Sequence, residues 1–434
     1  MTRLEEYFEF RSLGTDWKTE VLAGCTTFIT MAYIVFVNPA ILHEAGMPLA
    51  GVVAATCLAA AFGSILMGAY ARYPIALAPG MGLNAYFTYT VVKGMGVSWQ
   101  AALGAVLISG VAFLLLTAVG VRQLIVSAIP TELHSAVAAG IGLFIALLGF
   151  RNSGIIVPHP ATTVTLGNLR DPHTLLALFG LVLMGTLLAR RVKAAMLLGI
   201  LGTTAVGALC GLVHWQPQPY RLAEISATAF QFDLRATMKL GFLEIVFVFL
   251  FVDLFDNVGT LVAVGKKAGL FNQAREIPRV NRILVSDASA TIVGAMAGTS
   301  TVVSYIESAA GVVAGGRSGV TAIMVGGLFL VALFVAPVVG VIPAAATAPA
   351  LIVVGCMMMS AIGEVNWSDP VVAVPAFLTM TTIPLTFSIA NGLAFGFTSY
   401  TLLKLLSGEG RKVNWIVYVL TALFLVRFFY LGKG

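Results

Sequence analysis

The chain has 434 residues, 59% of them hydrophobic and only 10% charged, against roughly 25% charged in an ordinary soluble domain. No water-soluble fold of this length hides that much apolar surface, so most of the chain is expected inside a lipid bilayer. A formal charge of +6 would suggest a nucleic-acid surface on a soluble protein, but here the basic residues are scattered over short loops between apolar runs, which argues against that partner.

The opening residues, MTRLEEYFEFRSLGTDWKTE, mix both signs of charge. They lack the basic start, short apolar run and small-residue cleavage site of a signal peptide, so the first span is expected to be retained. A bilayer crossing takes about 20 apolar residues, and runs of that kind appear at 20–42, 50–70, 76–93, 98–119, 132–150, 172–190 and 194–213. A polar connection follows, HWQPQPYRLAEISATAFQFDLRATMK. A second series runs at 240–264, 281–297, 302–316, 319–337, 342–362, 369–388, 390–407 and 413–430. Two halves of similar length are thus expected to meet near 214–239, with one of the last three runs not crossing fully.

With the N-terminus in the cytoplasm, the loops on that side hold Arg72, Arg122, Arg190, Arg191, Lys193, Lys266, Lys267, Arg275, Arg279, Arg282 and Arg317. The opposite loops hold fewer: Lys93, Arg151, Arg170, Arg221, Arg235 and Lys239. That bias is the one expected of a multi-pass protein with a cytoplasmic N-terminus. Cys25, Cys57, Cys210 and Cys356 lie in apolar runs without CxxC spacing and read as small core residues, and the five histidines form no ligand constellation. No metal and no cofactor is expected. GKKAGLF after Gly265 is not a phosphate-binding loop, which argues against direct coupling to ATP.

The third run of each half is interrupted. The first reads RYPIALAPGMGLNAYFTY, with Pro74, Pro79, Gly80 and Gly82 inside it; the second reads AMAGTSTVVSYIESAAG, with Gly298 and a Thr/Ser-rich stretch before a short helical piece. Non-helical backbone at membrane depth survives only where protein or a cavity satisfies it, so breaks at matching positions of two halves point to a transporter's substrate site. Half-helices that start there aim free N–H groups at a ligand.

Four acids stand inside apolar runs: Asp253, Asp256, Asp287 and Glu307. An ionisable group at the bilayer centre costs about 2.5–3.5 kcal/mol, so each is a functional candidate. Asp253, Asp256 and Thr260 fall on or near one helical face, with Asn257 beside them. Burial favours the neutral form of a carboxylate, and a group held near neutrality can take up a proton on one side and release it on the other. Asp256 and Glu307 are expected to face each other across a cavity. Asp287 also reads as a partner of Arg282 or a local cap. Purine edges present N–H donors to a carboxylate, and Asn84 offers both a donor and an acceptor. Phe28, Tyr33, Phe36, Tyr86 and Phe87 are as apt to pack helices as to stack on a planar base.

Four motifs in order, LGTDWKTEVLAGCTTFITMAYIVFVNP, APGMGLNAYF, FVFLFVDLFDNVGTL and GTSTVVSYIESAAGVVAGGRSG, resemble the azaguanine-type adenine, guanine and hypoxanthine permeases of the nucleobase-cation symporter-2 class, and the resemblance reaches SIANGLAFG near the end. That class is similar to the xanthine and uracil permeases. The resemblance implies a secondary active transporter, not an enzyme, that imports purine nucleobases by proton symport across the bacterial inner membrane. It implies an all-α fold of about fourteen transmembrane helices in two inverted repeats of seven, with spans 3 and 10 broken. The core domain then comprises 1–119 and 240–340, the gate domain 120–215 and 341–434, and 216–239 is the connection. The resemblance assigns Asn84, Asp256 and Glu307 to the purine site; Thr260, Ile306 and Ser308 are taken as candidates beside them, and Asp253, Asp287 and Thr30 as secondary candidates. Asp256 and Glu307 become the proton-coupling pair. Asp256 matches the position at which uracil permeases carry glutamate, and Thr260 takes the place of their histidine. Relatives of this fold pair through the gate domain, which leaves room for a homodimer. The alternatives are an anion (sulfate-type) or pyrimidine/xanthine carrier of the same fold. An intramembrane enzyme would need a nucleophile–base pair or metal ligands at depth, and none stands in the sequence.

Overall fold

A computed structural model describes residues 3–120, 128–213, 222–238, 242–268, 278–335 and 339–426; the side chains of 222, 223, 242–244, 256, 258, 259, 262, 263, 266–268 and 335 are not among those described. Two short helices, α1 (Arg3–Tyr7) and α2 (Phe10–Leu13), precede the first span. That span is α3 (Trp17–Met31) and α4 (Ile34–His43), jointed at Ala32–Tyr33. Then come α5 (Leu49–Leu66), the strand β1 (Leu77–Pro79), α6 (Met81–Ala85), α7 (Trp99–Ala118) and α8 (Thr131–Asn152). The first half ends with the hairpin β2 (Ile156–His159) and β3 (Thr163–Leu166), α9 (Pro172–Ala189) and α10 (Ala195–Leu209).

The second half holds α11 (Phe242–Ala268), α12 (Val280–Ala297), β4 (Val302–Ser304), α13 (Ser308–Val313) and α14 (Gly319–Ala332). It finishes with α15 (Ala344–Met358), α16 (Pro370–Thr386), α17 (Ile389–Leu406) and α18 (Trp415–Val426). Local sequence sets many of the starts. Asp16, Ser98, Asp171, Ser318, Asp369 and Ser388 each accept a hydrogen bond from a first-turn N–H of the helix that follows, and Pro172 and Pro370 occupy a first-turn position where no N–H is needed.

Among the described residues, six helical stretches are long and apolar enough to cross a membrane: Trp17–His43, Leu49–Ala71, Trp99–Ala118, Thr131–Asn152, Pro172–Ala189 and Ala344–Glu364. The polarity of the fold is reversed from that of a soluble protein. Leu115, Val182, Leu385 and Leu406 are 63%, 68%, 80% and 83% exposed, while Asn38, Asn84, Asn257, Asp287 and Ser300 are wholly buried. Cys57 is buried, as a small core residue should be, but Cys210 and Cys356 lie exposed on the apolar outside rather than in the core.

The two halves are interleaved rather than set side by side. Helix α14 packs on α3 and α5, α12 on α5 and α7, and α8 on α15 and α16. At one such contact Gly68 and Gly319 meet backbone to backbone, and a Cβ on either would overlap the carbonyl of the other. The connection is held as well: Phe230 N–H donates to Met296 O (2.7 Å), Asp233 N–H to Gln100 O (2.9 Å) and Thr237 Oγ1 to Ala101 O (2.8 Å). Residues 214–221 and 239–241 of it lie outside the described residues.

The expectation of a wholly helical chain needs correcting at four short strands. β2 pairs with β3, and β1 pairs antiparallel with β4, Leu77 opposite Ser304 and Pro79 opposite Val302. β1 and β4 sit at the two breaks read from the sequence. Each break lacks helical partners for its N–H and C=O groups, and each finds them in the other.

Candidate functional site

The crossing of β1 and β4 is built from both halves in a matching way. Ser64 on α5 accepts from Leu77 N–H (2.9 Å) and donates to Leu77 O (3.1 Å). Thr291 on α12 does the same to Val302, accepting at 3.2 Å and donating at 3.0 Å. The ladder continues past each strand, with Gly80 N–H donating to Thr301 O and Tyr305 N–H to Ala76 O, both at 2.9 Å. Tyr305 Oη adds a bond to Pro79 O (2.5 Å), and Ala76 N–H donates to Ser308 Oγ (3.0 Å). The hydroxyl of Ser308, one of the candidate substrate contacts, thus accepts a bond that ties the two breaks together.

Glu307 opens α13 directly beyond this crossing and is half-buried, with Ile306 beside it 49% exposed. Tyr33, at the joint of the first span and only 1% exposed, donates its hydroxyl to Glu307 Oε1 at 2.7 Å. The sequence left Tyr33 among aromatics equally suited to packing; a polar tip on a residue at a helix joint was the available signal. Thr30, one turn earlier, spends its hydroxyl on Thr27 O (2.7 Å) of its own helix.

On the other continuation, Asn84 lies wholly buried in α6 and its Oδ1 accepts from Ser300 Oγ; its Nδ2 has no hydrogen-bond partner among the described residues. Asn38 of α4 donates to Thr56 Oγ1 (2.6 Å) and Thr299 Oγ1 (3.0 Å), so the first span touches both sides of the crossing. Thr301 Oγ1 and Ser304 Oγ are likewise buried without a partner among the described residues. Buried polar groups left open cost about 1–3 kcal/mol each, which marks this region as one shaped for more than packing.

Behind β4, Asn257 joins three elements. Its Nδ2 donates to Asp253 Oδ1 (3.0 Å) on its own helix and to Asp287 Oδ2 (2.6 Å) on α12, and its Oδ1 accepts from Ser304 N–H (3.1 Å). Asp253 and Asp287 are 1% and 0% exposed. Asn257 was read only as a neighbour of the acids. Asp287 was weighed as a partner of Arg282; it bonds to Asn257, and the Arg282 guanidinium lies 5.6 Å from the centre of the Tyr70 ring. Thr260 is 7% exposed on the same helix. Asp256 lies on α11 as expected, but its side chain, and with it the expected meeting with Glu307 across a cavity, falls outside the described residues.

A cavity of about 280 Å³ opens elsewhere, between Pro130, Tyr400, Lys412 and Asn414. None of the groups just described lines it.

The family profile Xan_ur_permease, the Permease family, matches residues 18–395. This chain belongs to that family. The adenine permease AdeP of Escherichia coli is 43% identical over 98% of this chain and 95% of its own length. The guanine/hypoxanthine permease PbuG of Bacillus subtilis is 45% identical over 99% of this chain and 100% of its own. The permease also shares its fold with the transmembrane domain of a cyanobacterial bicarbonate transporter, BicA, at a TM-score of 0.66 and 15% identity over 85% of this chain and 95% of that one. With six apolar helices long enough to cross, the permease is a multi-pass membrane protein.

Proposed function

We propose that this permease imports purine nucleobases, adenine or guanine and hypoxanthine, together with protons. The observation that carries the reading is the crossing of two chain breaks, one from each half, with a carboxylate held at the start of one continuation and a buried amide in the other. A purine offers N–H donors for Glu307 and ring-nitrogen acceptors for Asn84, and its flat apolar faces suit a slot in an apolar interior. Relatives named for adenine and for guanine/hypoxanthine support the substrate class.

In this reading Asp256 and Glu307 carry the proton, and Thr260, Ile306 and Ser308 border the substrate. Residues 1–119 and 240–340 form a core that slides or rocks against a gate of 120–215 and 341–434. The N-terminus is cytoplasmic, the membrane is the bacterial inner membrane, and a second copy docks through the gate. An anion carrier of the same fold is the other reading, and the bicarbonate transporter is one protein that shares the fold. It is disfavoured because the named side chains bonded around the crossing are neutral or acidic, where an anion calls for a fixed cation.

Uptake of labelled adenine, guanine, hypoxanthine, uracil and sulfate into cells lacking their own permeases tests the substrate. Purines should accumulate; uptake of sulfate or uracil without purines overturns the assignment. Glu307→Gln and Asp256→Asn should each abolish accumulation at unchanged membrane level, and uphill uptake by either removes that residue from coupling.

A further inference from the structure

The first span and the half-helix α13 run antiparallel and are joined at three levels. At the lowest, the buried Glu20 carboxylate accepts from Arg317 N–H (2.9 Å), Ser318 N–H (3.1 Å), Thr321 Oγ1 (2.6 Å) and Thr15 Oγ1 (2.8 Å), so the beginning of α3 grips the turn that follows α13. At the middle level Gly311 lies so close to Ala23 and Thr27 that a Cβ would overlap the threonine hydroxyl. At the top, Tyr33 donates to Glu307. Three carboxylate bonds from Arg317, Ser318 and Thr321 and a backbone-to-helix approach fix α13 and the turn after it against α3 below the tyrosine, so the top bond is set by the scaffold rather than by free rotation of two side chains.

The carboxylate is used unevenly. Oε1 takes the phenol, and the only other donor to the carboxylate among the described residues is the backbone N–H of Glu307 itself. Glu307 is half-buried where Tyr33 is almost wholly so, and its neighbour Ile306 is exposed. We propose that Tyr33 is a positioning residue of the substrate site, holding Glu307 by Oε1 so that Oε2 is presented to an N–H donor of the nucleobase. The assignment rests on the purine reading above. A phenol donor to a carboxylate stabilises one rotamer and leaves the second oxygen available as an acceptor; without it the carboxylate must be ordered by the substrate at the moment of binding, which weakens affinity.

The test is a double-mutant cycle on purine binding, measured as Kd of the labelled nucleobase by the purified full-length protein in detergent. Tyr33→Phe keeps the packed ring and removes only the hydroxyl, so elution volume and thermal midpoint should stay at the parent values. It should raise Kd roughly tenfold, the size of a lost hydrogen bond to a charged group. Glu307→Asp withdraws the carboxylate from the phenol, and in that background Tyr33→Phe should change Kd by less than about twofold. Maximal uptake rate should fall less than affinity, since the residue orders the site rather than moving the proton. A buried phenol that only packs predicts equal effects in both backgrounds, and that result, or an unchanged Kd for Tyr33→Phe, overturns the assignment while leaving purine transport standing. Absence of purine binding by the unsubstituted protein overturns both.

Discussion

At the scale of single residues, buried polar side chains do the joining. Glu20 serves the start of α14 from another helix, and the N–H groups of Arg317 and Ser318 bond to it. Glu20→Ala leaves both without that acceptor and should cost on the order of 3 kcal/mol, seen as a lower thermal midpoint in detergent; Glu20→Gln, which keeps an acceptor oxygen, should lose less. An unchanged midpoint for Glu20→Ala contradicts the role given to it. Such residues were hard to read in the sequence because Glu20 lies in a mixed-charge start and its partners lie in the other half of the chain. Asp253 and Asp287 were visible as acids in apolar runs, since cost alone marks them. Asn257 and Tyr33 were not, because an amide or a phenol at depth carries little penalty until its partner is known.

At the scale of elements, the apolar runs were legible because a bilayer demands length and hydropathy, and each of the runs read from the sequence holds helix in the structure. The breaks were legible from Pro79, Gly80 and Gly298. That they are strands was not, because Leu77–Pro79 and Val302–Ser304 are too short to signal alternation, and each is a strand only through the other. The β2–β3 hairpin was missed for the same reason, lying in a loop of Pro and Thr residues without a period. Where the third run of the first half continues, residues 86–94 widen into a π-helix, a geometry common at functional sites that no residue pattern announces.

At the scale of the whole molecule, the proposed core and gate touch through contacts that their relative motion must break. Asn152 at the end of α8 donates to Glu44 Oε1 (2.9 Å) and Tyr89 Oη (3.2 Å), and Glu44 also holds Lys93 Nζ (2.6 Å). Nearby, Thr90 Oγ1 donates to the carbonyl of Phe387 in the α16–α17 turn (2.6 Å). With the four native cysteines replaced, Glu44→Cys and Asn152→Cys joined by a short reducible thiol crosslinker should stop purine uptake, and dithiothreitol should restore it. Undiminished transport by the crosslinked protein contradicts a sliding boundary between these elements.

In the proposed function a proton gradient drives purines through the crossing of the two breaks. Purified protein in liposomes, with an imposed proton gradient and no sodium, tests it most directly. Uphill accumulation of adenine or of guanine and hypoxanthine is expected, collapsing with a protonophore and absent in Glu307→Gln. Accumulation that needs sodium, survives the protonophore, or persists in Glu307→Gln contradicts it.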